Sequence, residues 1–490
     1  MHQTPTAPRT QAPAPMLRRS LRNRHVTMIA LGGVIGAGLF VSSGAVLNSV
    51  GPGAWFSYLL SGTLMALVMR AIGEMAVLLP QARGLADYAR IGLGHWAGFS
   101  VGWMYWYFWV IVAAVEAIAG ANIITAFWPQ LPTWQVCLGL IVVMTGINLA
   151  SVKAYAEAEF WLASLKVTAI IAFVVAGFAF LMGWLGRPSP GLGVIRDHGG
   201  LLPLGLGAAI VGSVTVLFSF SGAEIATVAA AESEDPPRYA ARATRQVTYR
   251  IVLFYLTSIA VIACIVPWDL PMSGERVRSP FAVVLGIIGI PHAETIMQIV
   301  VLTAVLSSLN SCLYLTSRVM FSLAAHGDAP QRLVRVTRRG VPARSILLAT
   351  VFSYLSVAAN YFFPEQVFLF LINSSGAICL VYYLILMLAQ LRVRRRAEAD
   401  GTAVRMRMWG HPWLSRAVIA WICAVLVFMA VWPATRAQFW LSALSVAVVF
   451  AAYAVGGGAG PGGAPAGRPR PGGGAPSRAL WYGCVFVRPS

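Results

Sequence analysis

The sequence predicts an all-α, polytopic membrane protein with about twelve transmembrane helices, and three observations carry that prediction. Of its 490 residues, 58% are hydrophobic and only 11% are charged, and the mean hydropathy is +0.72. A water-soluble chain of this size would lack the polar surface to cover such a core. Stretches of roughly 20 apolar residues, the length that crosses about 30 Å of hydrocarbon, recur along the whole chain. The basic residues alternate between successive loops, the pattern that orients helices in a bilayer.

In chain order the spans fall near 26–47, 54–79, 98–125, 134–151, 159–184, 206–230, 247–267, 294–323, 344–362, 366–390, 416–433 and 438–455. The residues before 26 are rich in Pro, Ala and Arg without the apolar stretch of a cleavable secretory signal, so the first span is expected to be retained. With the amino terminus placed in the cytoplasm, the inward loops hold about 23 Lys or Arg residues, among them Arg18, Arg19, Arg22, Arg24, Arg335, Arg338, Arg339 and the run from Arg392 to Arg396. The outward loops hold about 5, namely Arg187, Arg196, Arg276, Arg278 and Arg436. Both termini then lie inside. The formal charge of +19 reads as membrane orientation rather than as nucleic-acid binding.

Three regions follow. Residues 1–24 read as a disordered cytoplasmic tail and residues 25–455 as the transmembrane domain. Residues 456–490 open on GGGAGPGGAPAGRPRPGGGAPSR, a Gly/Pro tract that cannot bury enough apolar surface to order itself. Composition is equally compatible there with a disordered tail and with a shifted reading frame at the end of a GC-rich gene. Of six cysteines, Cys137, Cys264, Cys312, Cys379 and Cys423 fall inside apolar spans without CxxC spacing, so they read as small buried hydrophobes. No metal, cofactor or disulfide is expected, and no obligate protein partner. The chain holds no HExxH, no GxSxG within a span and no metal-ligand cluster, which argues against an enzyme.

Two spans carry clustered glycine and serine. The first holds Gly32, Gly33, Val34, Ile35, Gly36, Ala37 and Gly38; the sixth holds Phe218, Ser219, Phe220, Ser221, Gly222, Ala223 and Glu224. If five spans form one repeat and the next five another, these two correspond. Interrupted helices at matching positions of two inverted repeats, as in the leucine-transporter fold, mark a binding site near the membrane midplane; close helix packing is the plainer reading of such clusters. Backbone N–H and C=O groups freed within the bilayer need partners from protein, trapped water or a polar ligand. An amino acid supplies both: its carboxylate suits the N–H groups after Gly36 to Gly38, and its amine suits the carbonyls beside the sixth break.

Ionisable residues inside spans are costly unless paired or hydrated, which singles out Arg70, Glu74, Glu116, Lys166, Glu224 and Arg318. Arg70 and Glu74 are spaced as an i, i+4 ion pair near the inner end of the second span, and Arg318 reads as a snorkelling or paired arginine of the eighth. Lys153 and Lys166 are the only lysines beside 34 arginines. A buried lysine can release its proton whereas arginine cannot, which suits proton coupling; a snorkelling lysine is the equal alternative, since Lys166 lies only roughly 10 Å past the inner end of its helix. Glu224, directly after the sixth break, could answer a substrate ammonium, carry a proton or cap the unwound backbone. Glu116 either faces the cavity or pairs with another helix, and Phe218 and Phe220 either close over a substrate or pack.

The stretches RHVTMIALGGVIGAGLF (24–40), SVKAYAEAEFWLASLK (151–166), FSFSGAEIATVAAAESEDP (218–236), SSLNSCLYLTSRVMFSLAAHGDAP (307–330) and INSSGAICLVYYLILMLAQLR (372–392) resemble the bacterial amino acid transporter branch of the amino acid–polyamine–organocation superfamily. The likeness covers residues 24 to about 450 and is greatest to GABA (4-aminobutyrate) permeases; relatives for aromatic amino acids, proline, lysine and D-alanine share most of these blocks. The tail beyond residue 455 departs from the family, lacking its usual basic end. The resemblance implies twelve helices, an inverted five-plus-five repeat, alternating access and proton-driven import across the bacterial cytoplasmic membrane. It implies that Lys166 stands where sodium-coupled cousins hold a cation, between the first and eighth helices, with Ser307 and Ser308 close by. It also links Glu224 to substrate and proton handling and matches Glu232 to an acidic position near the inner end. The expected partners are thus an amino acid, protons and the lipid bilayer, with a sodium symporter and an amino acid exchanger as the rival readings.

Overall fold

A helix that is apolar all round must lie in the middle of a bundle or against lipid, and the helices here divide along that line. The computed structural model describes residues 28, 35–82, 84–220, 222–225, 236–270, 279–337, 341–362 and 364–456. All regular structure among them is helical: α1 (Ala37–Phe40), α2 (Ser42–Val50), α3 (Ala54–Leu78), α4 (Leu85–Leu93), α5 (His95–Phe127), α6 (Thr133–Ala150), α7 (Val152–Leu181), α8 (Gly193–Asp197), α9 (Gly205–Phe220), α10 (Pro236–Arg250), α11 (Thr257–Ile265), α12 (Pro280–Ile288), α13 (Ala293–Ala325), α14 (Ala343–Phe362), α15 (Pro364–Ala399), α16 (Trp413–Val431) and α17 (Pro433–Gly456). Nine helical stretches among the described residues are long and apolar enough to cross a membrane, and two shorter apolar helices cover Gly205–Leu217 and Ala343–Ala359. The chain is therefore a multi-pass membrane protein.

The first of the nine stretches, Ala37–Leu78, contains two legs. They are parted at Gly51–Gly53, where Gly51 takes the left-handed φ of 75° and ends α2. The centre of the bundle is built by α5, α13 and α15, of whose most apolar windows 67%, 67% and 72% are buried, against 22% for α16 and 6% for α17. The last two helices are thus the lipid-facing rim. Small residues let α4 approach two of the central helices: a Cβ on Gly92 would lie 2.7 Å from Ala389 of α15, and one on Gly98 of α5 would lie 2.6 Å from Arg90.

Several boundaries differ from the sequence reading for physical reasons. The tenth span does not stop near 390, because α15 runs on to Ala399 and carries its arginines onto α3 and α4: Arg394 meets Glu74 at 3.1 Å, and Arg396 donates to the Ile91 carbonyl at 2.7 Å. The seventh span is entered earlier, through the polar α10, and passes a π-helical turn at Ile251–Leu256 before α11. Three short helices, α4, α8 and α12, lie in segments that hydropathy reads as loops. The expected Arg70–Glu74 pair gives way to another arrangement. Glu74 is fully buried and takes Arg394, Gln390 at 2.9 Å and the Met408 N–H, while Arg70 points outward to the Arg407 carbonyl and the Trp409 ring. Tertiary partners inside the bundle outcompete a helix-surface pair, which is worth only about 0.5 kcal/mol. Arg318 lies over the Tyr314 ring at 3.9 Å and donates to Ser317 at 3.0 Å. The two tails foreseen as disordered fall outside the described residues, apart from Gly456, which ends α17.

Candidate functional site

In both glycine-rich spans a described helix has an end at the glycine cluster, and the two ends meet. In the first span Gly36 is non-helical (φ −136°, ψ −145°), and the helix begins at Ala37. In the sixth, α9 ends at Phe220 and the turn through Gly222–Glu224 carries Gly222 at φ 94°. A Cβ on Gly38 would sit 2.8 Å from the Ser219 Cα, so the two backbones touch there and only glycine fits. The hydroxyls of Ser219 and Ser42 both donate to the Gly38 carbonyl, and they lie 3.3 Å from one another.

Two charged side chains from other helices serve the first break. The Ala37 N–H donates to both carboxylate oxygens of Glu116, at 3.3 and 3.2 Å, and Ser308 Oγ donates to Glu116 Oε1 at 2.8 Å. Glu116 comes from the middle of α5 and is 3% exposed. It therefore stands where the sequence reading puts a substrate carboxylate, and a substrate has to share that position or displace it. On the other side of the break, the Lys166 ammonium donates to the Ile35 carbonyl at 2.9 Å and to Ser307 Oγ at 2.9 Å. Lys166 is fully buried on α7, so it is not a snorkelling residue. Ser307 in turn donates to Glu159 Oε1 at 2.7 Å.

The sixth break is closed differently. Tyr255 donates to the Ser219 carbonyl at 2.9 Å, the Ala223 N–H to the Phe220 carbonyl at 3.3 Å, and the Ile225 N–H to the Gly222 carbonyl at 2.9 Å. Each such carbonyl keeps a second lone pair for a ligand ammonium. Glu224 folds back to accept from the Gly222 N–H at 3.2 Å, and the neighbouring tyrosines of α15 donate to it, Tyr382 to Oε1 at 3.2 Å and Tyr383 to Oε2 at 3.0 Å. The buried Arg250, at the end of α10, interacts electrostatically with Glu224, Tyr255 and Tyr383. The Phe220 ring packs against Tyr255, with centroids 4.6 Å apart, and edge-on to Tyr58 at 5.9 Å.

The structure thus gathers Ile35, Gly36, Ala37, Gly38, Glu116, Lys166 and Ser219 around one crossing, with Phe220 packed beside it and Glu224 held on the α15 side. Val34, Ser221 and Glu232, and the side chain of Phe218, lie outside the described residues. Sequence reasoning passed over Glu159 because it falls on the first residue of the fifth span as drawn. The signal for it is spacing: Tyr155, Glu159 and Lys166 are related by 4 and 7 residues and share one face of α7. Tyr382, Tyr383 and Arg250 carry no such signal and are found only through the fold. Among the described residues no group of His, Cys, Asp and Glu could hold a metal ion.

Comparison with known proteins agrees with this architecture. The family model for amino acid permeases matches residues 25–458. The chain is 45% identical to the gamma-aminobutyric acid permease of Bacillus subtilis (strain 168) over 441 residues, covering 90% of this chain and 93% of that one. It is 43% identical to the gamma-aminobutyric acid permease of Escherichia coli (strain K12), covering 85% and 90%. It is 36% identical to an aromatic amino acid transport protein of Corynebacterium glutamicum, covering 89% and 93%.

Proposed function

The chain belongs to the amino acid permease family, and we propose that it is a proton-coupled importer of GABA or a closely related amino acid, working by alternating access in the bacterial cytoplasmic membrane. Twelve crossings with both termini cytoplasmic fit this reading. The nine long stretches hold one pair of legs divided at Gly51–Gly53, and the two shorter apolar helices complete the set. Residues 25–455 then form the transporting domain in an inverted five-plus-five arrangement.

The observation that carries the proposal is the position of the Lys166 ammonium. It is bonded to a carbonyl bared by the first break and to a hydroxyl of α13, the kind of oxygen set that a monovalent cation would use. A fixed ammonium there takes the place of sodium, and unlike sodium it can give up its charge by losing a proton. The charged form ties α7 to the first break and to α13 at once. The neutral amine releases them, and that difference in contacts is what lets protonation bias one access state over the other. The substrate lies at the crossing of Gly38 and Ser219. Its carboxylate competes with Glu116 for the N–H groups that begin at Ala37, and its ammonium goes to carbonyls of the sixth break and to Glu224. Main-chain groups grip what all amino acids share, so the GABA preference rests on the similarity to the two GABA permeases, and the aromatic relative marks the range of the same frame.

Uptake of labelled GABA into proteoliposomes, driven by an inwardly directed proton gradient with sodium absent, tests the reading. Accumulation that collapses with a protonophore and is competed by unlabelled GABA more than by proline, phenylalanine or lysine is the expected result. Uptake that requires sodium, or counterflow without net accumulation, replaces it with the symporter or exchanger reading respectively.

A further inference from the structure

The polar groups below Lys166 extend well beyond the crossing. On α13, Ser307, Ser311, Tyr314 and Arg318 follow one another by 4, 3 and 4 residues and so form a single stripe. The matching stripe on α7 is Lys166, Glu159 and Tyr155. These stripes face each other: Ser307 bridges Lys166 and Glu159, the Tyr155 hydroxyl lies 3.4 Å from Ser311 Oγ, and the Tyr155 and Tyr314 rings stack in parallel at 4.1 Å beneath Arg318. Ser311 and Asn310 lie beside the Glu159 carboxylate, yet among the described residues Oε2 has no hydrogen-bond partner, and neither does Asn310 Nδ2. Both residues are fully buried. A buried carboxylate oxygen and a buried amide left in this state are costly, and an ionisable residue inside a membrane bundle marks a functional candidate by default.

We propose that Glu159 accepts the proton that Lys166 gives up, with Ser307 as the bridge, and that the α7–α13 seam conducts it to the cytoplasm. This rests on the proton-coupled reading above. The hydrogen bonds already point the right way. A Lys166 N–H bond breaks as its proton bonds to Ser307 Oγ, while the Ser307 O–H bond breaks as that proton bonds to Glu159 Oε1. The products are a neutral amine, an unchanged serine and a carboxylic acid, with no net charge moved out of the seam. With the amino terminus inside, α7 runs outward, so Glu159 lies two turns, roughly 10 Å, nearer the cytoplasm than Lys166. The inward course of α13 places Arg318 beyond it. A pair held only for stability would gain more from direct contact than from an interposed hydroxyl. The other groups that act on Lys166 are Glu116 from α5, Arg250 from α10 and the Cys312 thiol of α13. Glu116 is committed to Ala37 and Ser308, and Ser307 is shared with Glu159 alone.

The test uses the full chain in proteoliposomes, with GABA as probe, an internal pH dye, and two assays on each variant: uptake driven by a pH gradient, and GABA counterflow. Glu159→Gln is expected to slow gradient-driven uptake and its accompanying proton release by about tenfold or more, with a much smaller loss of counterflow, and Glu159→Asp to recover part of the coupled rate. Ser307→Ala, which removes the bridge and leaves both the Lys166 ammonium and the Glu159 carboxylate in place, should show the same split and carries the test if Glu159→Gln does not fold. Wild-type coupling in Glu159→Gln, or an equal loss in both assays that Asp does not relieve, overturns the relay. A wild-type protein indifferent to the pH gradient overturns the coupling reading and the relay with it.

Discussion

The helix ends of the first and sixth spans meet at one crossing, but their bared backbone is satisfied by different chemistry. At the first break the partners are a carboxylate and an ammonium delivered from α5 and α7, residues 79 and 131 positions away in the chain. At the sixth the partners are the turn's own N–H groups, tyrosine hydroxyls and Glu224, which lies two residues from the N–H it caps. A break closed by remote charges responds to anything that moves or neutralises those charges; a break closed by its own turn and by neutral hydroxyls responds chiefly to a ligand placed against it. On the proposed function the work is divided: the first break is suited to coupling and the sixth to recognising the substrate.

That division can be broken at graded cost. Gly36→Ala should do the most damage, because the new methyl would run into the Glu116 carboxylate and come within 2.7 Å of the Ser308 Cβ. Transport should fall about 100-fold with normal membrane insertion, as expected when a site is displaced by about an ångström. Glu116→Gln keeps an acceptor for the Ala37 N–H but removes its charge. GABA uptake should drop about tenfold, mostly in the maximal rate, and counterflow should drop with it. Tyr383→Phe removes one of the two tyrosine donors to Glu224 and should raise the KM for GABA about threefold while leaving proton coupling intact. If Tyr383→Phe uncouples transport instead, the assignment of the two breaks is wrong.

The smallest effect lies away from both. His411, in the loop between α15 and α16, is set 3.5 Å from Gln390 and 3.4 Å from Ser415 beside the Glu74–Arg394 pair. Burial lowers its imidazole below the ordinary 6.5. The folded state thus favours the neutral ring, and the unfolded chain binds the extra proton first as pH falls. Stability contributed by His411 is present above 6.5 and is lost as pH drops through the folded value. Thermal unfolding in detergent should show a slightly lower Tm at acid pH that His411→Gln removes.

The parts of this arrangement that are local in the chain are readable from it. Glycine clusters declare a helix that cannot continue, and a lysine kept among so many arginines declares a site where arginine does not serve. The resemblance to known transporters adds the placement of Lys166 against the first and eighth helices, which no local pattern contains. What depends on tertiary choice is hidden. Tyr382 and Tyr383 look like ordinary residues of an apolar helix until α15 is laid beside Glu224. Glu74 has a reasonable partner four residues away and takes a better one on α15. Glu159 sits where a hydropathy boundary was drawn, although its spacing from Lys166 was in view. The sequence leaves the Ala37 N–H open to a ligand, because it does not reveal that Glu116 reaches it first.

The most direct test of the account is Lys166→Ala, assayed for GABA accumulation under an imposed proton gradient and for GABA counterflow in the same proteoliposomes. Loss of gradient-driven accumulation with some exchange remaining is the predicted outcome. Accumulation at the wild-type rate would contradict it.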